Sequence, residues 1–295
     1  MSQRPLRIAS RASELALWQA SAVGLALGVP YEVVKIVSQG DKDQESSLSQ
    51  IGGAGVFVKE VQEALLDDRA DLAVHSAKDI PGITPADLEI ATYLTRGDSR
   101  DVLVGTTLSG AKHGATIATG SARRKALLLS IRPDLNVVEL RGNIRTRLSR
   151  LGLKGVSGVV VAKAALDRLA ITPEVFQVLE WNEFCPQIGQ GAIAIEARIG
   201  DSPLLGLIKA VGDEDTFRCV TAERALLRQL GAGCSSAVGA YSYVDGDSIV
   251  LYGMVASWDG AQIVSSTFRS REPEKLGIEL GNFLLSNGAG NLINL

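Results

Sequence analysis

His75-Ser76-Ala77-Lys78-Asp79 sets a cation and a carboxylate side by side at the end of an apolar run, shortly before Pro81. The run from Asp71 to His75 reads as a buried strand, and ligands of open α/β sheets bind outside the carboxyl ends of strands. A carboxylate there can carry a proton or stabilise a cationic intermediate. The same two residues also suit a solvated ion pair at a loop start. Thr119-Gly120-Ser121-Ala122-Arg123-Arg124 joins a strand to a helix, whose unpaired N–H groups and dipole attract carboxylate or phosphate. Arg141-Gly142-Asn143 opens a second such junction. A helix from Asn143 to Leu151 puts Ile144, Leu148 and Leu151 on one face and Arg145 roughly 200° around from Arg147. Arg141 and Arg147 then address one ligand while Arg145 points elsewhere. Guanidinium forks grip carboxylates bidentately, so the cluster suits a ligand with several of them. A solvated basic face or a weak RNA patch is the competing reading, but no aromatic residue lies between Arg123 and Arg150 to stack on a base.

Of the three cysteines, Cys219 falls inside a helix and Cys185 precedes a proline. Cys234 alone stands in a loop of small residues, Gly231-Ala232-Gly233-Cys234-Ser235-Ser236, where a bulky group could approach the thiol. Thiol reactivity depends on surroundings that spacing does not reveal. With no Cys-x-x-Cys pair and only His75 and His113, the sequence argues against a zinc site or a Cys/His triad. The N-terminus lacks the apolar core of a signal peptide, and no run of about 18 apolar residues is available to span a bilayer. A cytoplasmic protein without membrane contact is expected. The net charge of -3 argues against a protein that coats nucleic acid, so the local excess of arginine points to a small anionic ligand.

The elements that must hold these residues alternate. Strands are expected at Leu6 to Ala9, Tyr31 to Val37, Asp71 to His75, Ala115 to Thr119, Asn136 to Leu140 and Gly158 to Ala162. Helices are expected at Ser13 to Leu27, Val56 to Asp67, Ser121 to Ile131 and Asn143 to Leu151. Such alternation predicts α/β sheets. Gly40 to Gly55 is polar and aperiodic, as in a functional or mobile loop. After a helix capped by Asp215 and running to about Leu230, the pattern changes to three strands with hairpin signals at Asp245-Gly246 and Asp259-Gly260. A helix from Glu274 to Leu285 closes this α+β module.

Taken in order, these blocks resemble the porphobilinogen deaminase family over nearly the whole chain. The opening Arg7-Ile8-Ala9-Ser10-Arg11-Ala12-Ser13 with Leu15 to Ala20, His75 to Asp79, Ser121 to Arg124, Leu140 to Asn143 with Thr146 to Leu148, Gly189-Gln190-Gly191-Ala192 and Gly233-Cys234 carry the resemblance. It implies two lobes like those of periplasmic binding proteins plus a C-terminal α+β domain with a three-stranded antiparallel sheet. The implied boundaries are 1–94 with 189–211, 95–188 and 212–295. It further implies a monomeric transferase of tetrapyrrole (porphyrin) biosynthesis. Four porphobilinogen molecules would condense with loss of ammonia to hydroxymethylbilane, on a dipyrromethane cofactor joined to Cys234. By matching positions, Asp79 is the catalytic residue. Arg11, Ser13, Gln19, Lys78, Thr119, Ser121, Arg123, Arg124, Arg141, Arg147, Arg168 and Gln190 bind substrate or cofactor. The chain departs from the family at Ala54 and Gln50, where lysines are common, at Gly120 in place of a frequent serine, and at Ser235 to Ala237. A non-catalytic binder of polycarboxylates is the alternative reading.

Overall fold

The computed structural model describes residues 4–37, 55, 58–233 and 236–293. The chain divides into two compact units, residues 1–97 with 192–218 and residues 98–191 with 219–295.

The first unit is built on a five-stranded sheet of order β2-β1-β3-β10-β4. Its strands are β1 (Leu6–Arg11), β2 (Tyr31–Ile36), β3 (Leu72–Ser76), β4 (Leu88–Tyr93) and β10 (Ile193–Arg198). β1, β2 and β3 are parallel, and β10 lies antiparallel between β3 and β4. Helix α1 (Glu14–Leu27) starts where Ser13 accepts a hydrogen bond from the Ala16 N–H, and it ends at Gly28 in the left-handed conformation. Ala20, Val23 and Leu27 pack on Ile8, Leu72, Val74 and Ile195. On the opposite sheet face, α2 (Lys59–Leu66) buries Val61, Ala64 and Leu65 against Ala9, Ile36 and Ala73. Burial on both faces explains why these strands read as apolar runs and not as alternating ones. Helix α6 (Ser202–Ala210) also packs here, through Leu204, Leu205 and Ile208.

The second unit repeats the plan. β5 (Asp101–Val104), β6 (Thr116–Ala118), β7 (Asn136–Val138), β8 (Val156–Ala162) and β9 (Phe176–Leu179) form a sheet of order β7-β6-β8-β5-β9, with β5 antiparallel to both neighbours. In each sheet, therefore, three parallel strands run 2-1-3 and one antiparallel strand is inserted before the last. The helices are α3 (Ala122–Ile131), α4 (Ile144–Leu148) and α5 (Lys163–Arg168). α4 is shorter than the helix expected over Asn143 to Leu151. It stops at Leu148, capped at its start by the Asn143 side chain, and Gly152 follows with φ +76.

The same unit holds the three-stranded antiparallel sheet β11 (Val238–Asp245), β12 (Ser248–Ala256), β13 (Ile263–Ser270). Helix α7 (Glu214–Leu230) and helix α8 (Pro273–Leu284) lie on it through Ala222, Leu226, Leu276 and Leu280. The start of α7 corrects an expectation: Asp213, not Asp215, accepts from the Thr216 N–H at 2.8 Å and caps it. A short helix, α9 (Gly290–Ile293), ends the described chain. Met254 and Ala256 of this sheet share a core with Leu127 and Leu128 of α3. Gly260 lies so close to α3 that a Cβ there would stand 2.1 Å from the Ala126 carbonyl oxygen. The expected fold class, α/β sheets followed by an α+β part with a three-stranded antiparallel sheet, is the one observed.

Candidate active site

Residues at the carboxyl ends of β1 and β3 converge in the first unit. Arg11 ends β1, Ser13 caps α1, and Gln19 comes from the next turn of α1. β3 ends at Ser76 and continues as a short 3-10 turn, Ala77–Asp79. Arg11, Ser13, Gln19, Ser76, Lys78 and Asp79 line one open pocket, together with His75 and Val58. The turn is held from behind, since the Ala77 N–H donates to Ala192 O at 3.0 Å. Gln19 Nε2 donates to Ser76 Oγ at 2.9 Å, so the floor is fixed by a bond between α1 and β3. Five of the site residues read from the sequence are thus brought together. Two cations and two polar side chains surround one carboxylate, an arrangement suited to an anionic substrate that must gain or lose a proton.

Beneath this pocket lies a group that sequence reasoning missed. Glu196 on β10 is fully buried. Its oxygens meet Gln62 Nε2 of α2 at 2.8 Å and His75 Nε2 at 3.0 Å. The signal was a single acidic residue in the apolar run Ile193-Ala194-Ile195-Glu196-Ala197.

In the second unit, Thr119 and Ser121 follow β6. Ser121 caps α3 by accepting from the Arg124 N–H at 3.4 Å, and its own N–H donates to Thr119 Oγ1 at 3.3 Å. Arg123 and Arg124 do not fan outward from this helix start. Both are buried, and both guanidinium groups meet the Asp101 carboxylate at 2.7 Å. Gln190, also fully buried, donates to Asp101 Oδ1 at 2.9 Å and to Ser99 O at 2.7 Å. Burial alone would push the Asp101 carboxyl up, but Arg123 and Arg124, helped by Gln190, hold it well below the ordinary carboxylate range. Three residues expected on the ligand are therefore engaged with an interior carboxylate that reasoning from the sequence had passed over. Asp101 opens β5 immediately before Val102-Leu103-Val104, and that place in an apolar run was its only signal.

Arg141 is different. Its Nη1 is buried and, among the described residues, has no hydrogen-bond partner, which is uncommon for so strong a donor. Arg147 is half-buried, with Nε donating to Gly142 O at 2.7 Å, whereas Arg145 is exposed. Arg168 donates to Gly191 O at 2.6 Å, and burial pushes its guanidinium down to about 10, against a weaker opposing pull from Asp167. Gly120, where the family frequently has serine, has its backbone packed on the neighbouring junction: a Cβ would stand 2.5 Å from Leu140 O. Cys234, the expected attachment residue, and most of the loop from Gly40 to Gly55 lie outside the described residues, whereas Cys185 and Cys219 are buried.

Comparison with known proteins gives this geometry its family. The model of "Porphobilinogen deaminase, dipyromethane cofactor binding domain" matches residues 6–205, and that of "Porphobilinogen deaminase, C-terminal domain" matches residues 217–286. The chain belongs to the porphobilinogen deaminase family. A porphobilinogen deaminase of Alkaliphilus metalliredigens is 40% identical across 98% of this chain and 95% of its own length. One from Geobacter metallireducens is 41% identical across 99% and 95%. Among solved structures, the GluR0 ligand-binding core in complex with L-glutamate is 12% identical, covering 72% of this chain and 91% of its own, at a TM-score of 0.37. Membership makes the protein an enzyme, a transferase of tetrapyrrole synthesis that polymerises porphobilinogen and uses a dipyrromethane cofactor. The orphaned Arg141 Nη1 fits such a group, because each pyrrole carries carboxylates that can accept from it.

Proposed function

We propose that the chain joins four porphobilinogen molecules into hydroxymethylbilane with Asp79 as its catalytic carboxylate. The observation that carries this reading is the pocket in which Asp79 stands among Arg11, Lys78, Ser13 and Gln19. Arg11 and Lys78 bind the acetate and propionate groups of the incoming pyrrole. Ser13 and Gln19 orient it. Asp79 gives a proton to the departing amine and stabilises the positive charge that passes through the pyrrole. When bound, the dipyrromethane would supply the pyrrole carbon to which the first unit is joined, each later unit joining the one before it, and Cys234 would hold it through a thioether. Arg141, Arg147, Arg168, Thr119 and Ser121 bind its carboxylates and those of the growing chain. Arg123, Arg124 and Gln190 serve these residues from behind, by fixing the start of α3 through Asp101.

The three-domain division, 1–94 with 189–211, 95–188 and 212–295, is proposed as the functional one. Support for the last domain comes from a three-stranded sheet of its own. The enzyme is further proposed to act as a cytoplasmic monomer without nucleic acid. Among the described residues no helix is long and apolar enough to cross a membrane. Two of the arginines that gave the basic cluster its charge are turned inward on Asp101.

Steady-state turnover of porphobilinogen to hydroxymethylbilane tests the reading. Asp79→Asn should keep the fold and lower kcat by about 10² to 10⁴, the usual worth of general acid–base help. Wild-type turnover in that variant would remove Asp79 from the mechanism.

A further inference from the structure

β3 turns its two faces to different helices. Ser76 faces α1, where Gln19 bonds it, while Ala73 packs with the α2 residues Val61, Ala64 and Leu65. His75 alternates with Ser76 and so shares the face of Ala73. Glu196, opposite Ala73 in the antiparallel register, lies diagonally from His75 on that same face. Gln62 of α2 completes the group. A buried carboxylate is costly unless donors surround it, and here one donor comes from α2 and the other position is taken by an imidazole. His75 also belongs to the lining of the pocket of Asp79. A carboxylate behind one ring nitrogen fixes the tautomer and turns the other nitrogen to the reaction space.

We propose that His75 is a second proton-transfer group of this pocket, with Glu196 and Gln62 as its positioning residues. The inference rests on the reading of the pocket given above. Each addition breaks the carbon–nitrogen bond of the aminomethyl group, forms one carbon–carbon bond, and releases one proton from the acceptor carbon. The nitrogen leaves with the bonding electrons and takes a proton from Asp79, departing as ammonia. His75 Nδ1 takes the proton that the acceptor carbon releases, and the Glu196 carboxylate stabilises the imidazolium so formed. Passage of that proton from His75 to Asp79 restores both groups for the next addition. The assignment divides the work: the acid and the base of one cycle are different side chains, recharged by each other.

The chain has only two histidines, so the ring can be observed selectively. In the ¹⁵N-histidine-labelled holoenzyme, with exposed His113 assigned through His113→Asn, His75 should carry its proton on Nε2 at neutral pH. A proton on Nδ1 overturns the proposal. Glu196→Gln should lower kcat about 10- to 100-fold with KM little changed, as for loss of a carboxylate that orients a histidine. A folded Glu196→Gln enzyme with wild-type kcat, or one altered in KM alone, also overturns it. Should that variant not fold, His75→Gln is judged by the same kcat and KM criteria. Asp79→Asn separates the two readings. Full turnover there fells the pocket itself, whereas an inactive Asp79→Asn beside an unimpaired Glu196→Gln fells only the role of His75.

Discussion

Arg123 Nη2 and Asp101 Oδ2 meet at 2.7 Å in the interior of the second unit, with both side chains removed from solvent. Arg124 shares the same carboxylate, so two buried cations depend on one anion. Asp101→Asn would leave both uncompensated, and loss of one partner of a buried pair costs roughly 3–5 kcal/mol. Denaturant unfolding should register that loss. The folded carboxyl is held below its ordinary range, so its contribution is present above about pH 4 and is lost as pH falls through the lower folded value. Wild-type stability should therefore decline below about pH 4, and the decline should be shallower in Asp101→Asn. Parallel acid profiles for the two proteins would show that Asp101 does not govern it.

How far the sequence could see is clearest at these arginines. Their position after Ser121 made them look like cations at a helix start, and the capping by Ser121 is there. What composition could not reveal is a carboxylate 22 residues earlier in the chain, brought under the helix by sheet pairing. β5 and β10, the inserted antiparallel strands, escaped for a related reason. Each is a short apolar run whose neighbours are distant in sequence, so no local period separates it from a loop or helix segment. By contrast, Lys78 and Asp79 are legible as a pair at a strand's carboxyl end, and Arg11, Ser13 and Gln19 through the family resemblance; one sheet edge gathers all five.

The two arginines of α4 should differ in kind. Arg147 is half-buried and anchored to Gly142 O, while Arg145 is exposed. Arg147→Ala should reduce chain elongation about 10- to 100-fold, in line with ~1.5–3 kcal/mol for a hydrogen bond to a charged group. Arg145→Ala should stay within about twofold, as exposed substitutions commonly shift energies by only ±0.5 kcal/mol. Single-turnover assays with limiting porphobilinogen make the comparison. Equal damage from both would mean that the ligand reaches the exposed face of α4.

Gly120 carries a prediction of its own. Because its backbone packs on Leu140 O, a Cβ at 2.5 Å forces the β6–α3 and β7–α4 junctions apart. Gly120→Ser should destabilise the protein by about 1–3 kcal/mol, the usual cost of overpacking. The added hydroxyl should not restore that loss. Thermal melting at equal cofactor loading reads the effect, and an unchanged melting temperature would mean that the junctions separate freely.

Cys234 should carry the dipyrromethane. A thioether requires a sulfur nucleophile that a pyrrole can approach, and both Cys185 and Cys219 are buried in packed cores. In the sequence Cys234 instead stands a few residues beyond α7 in a stretch rich in glycine and serine. Intact-mass measurement of the active enzyme should show two linked pyrrole units above the sequence mass. Limited porphobilinogen should add a ladder of further single units. Cys234→Ser should lose the added mass, the ladder and turnover together, because a hydroxyl is far less nucleophilic than a thiolate. Cys219→Ser should retain all three, since that side chain fills the core beneath β11 and β12 and takes no part in attachment. An unmodified enzyme with full turnover would remove the covalent attachment, and a modified peptide containing Cys185 or Cys219 would move it to another residue.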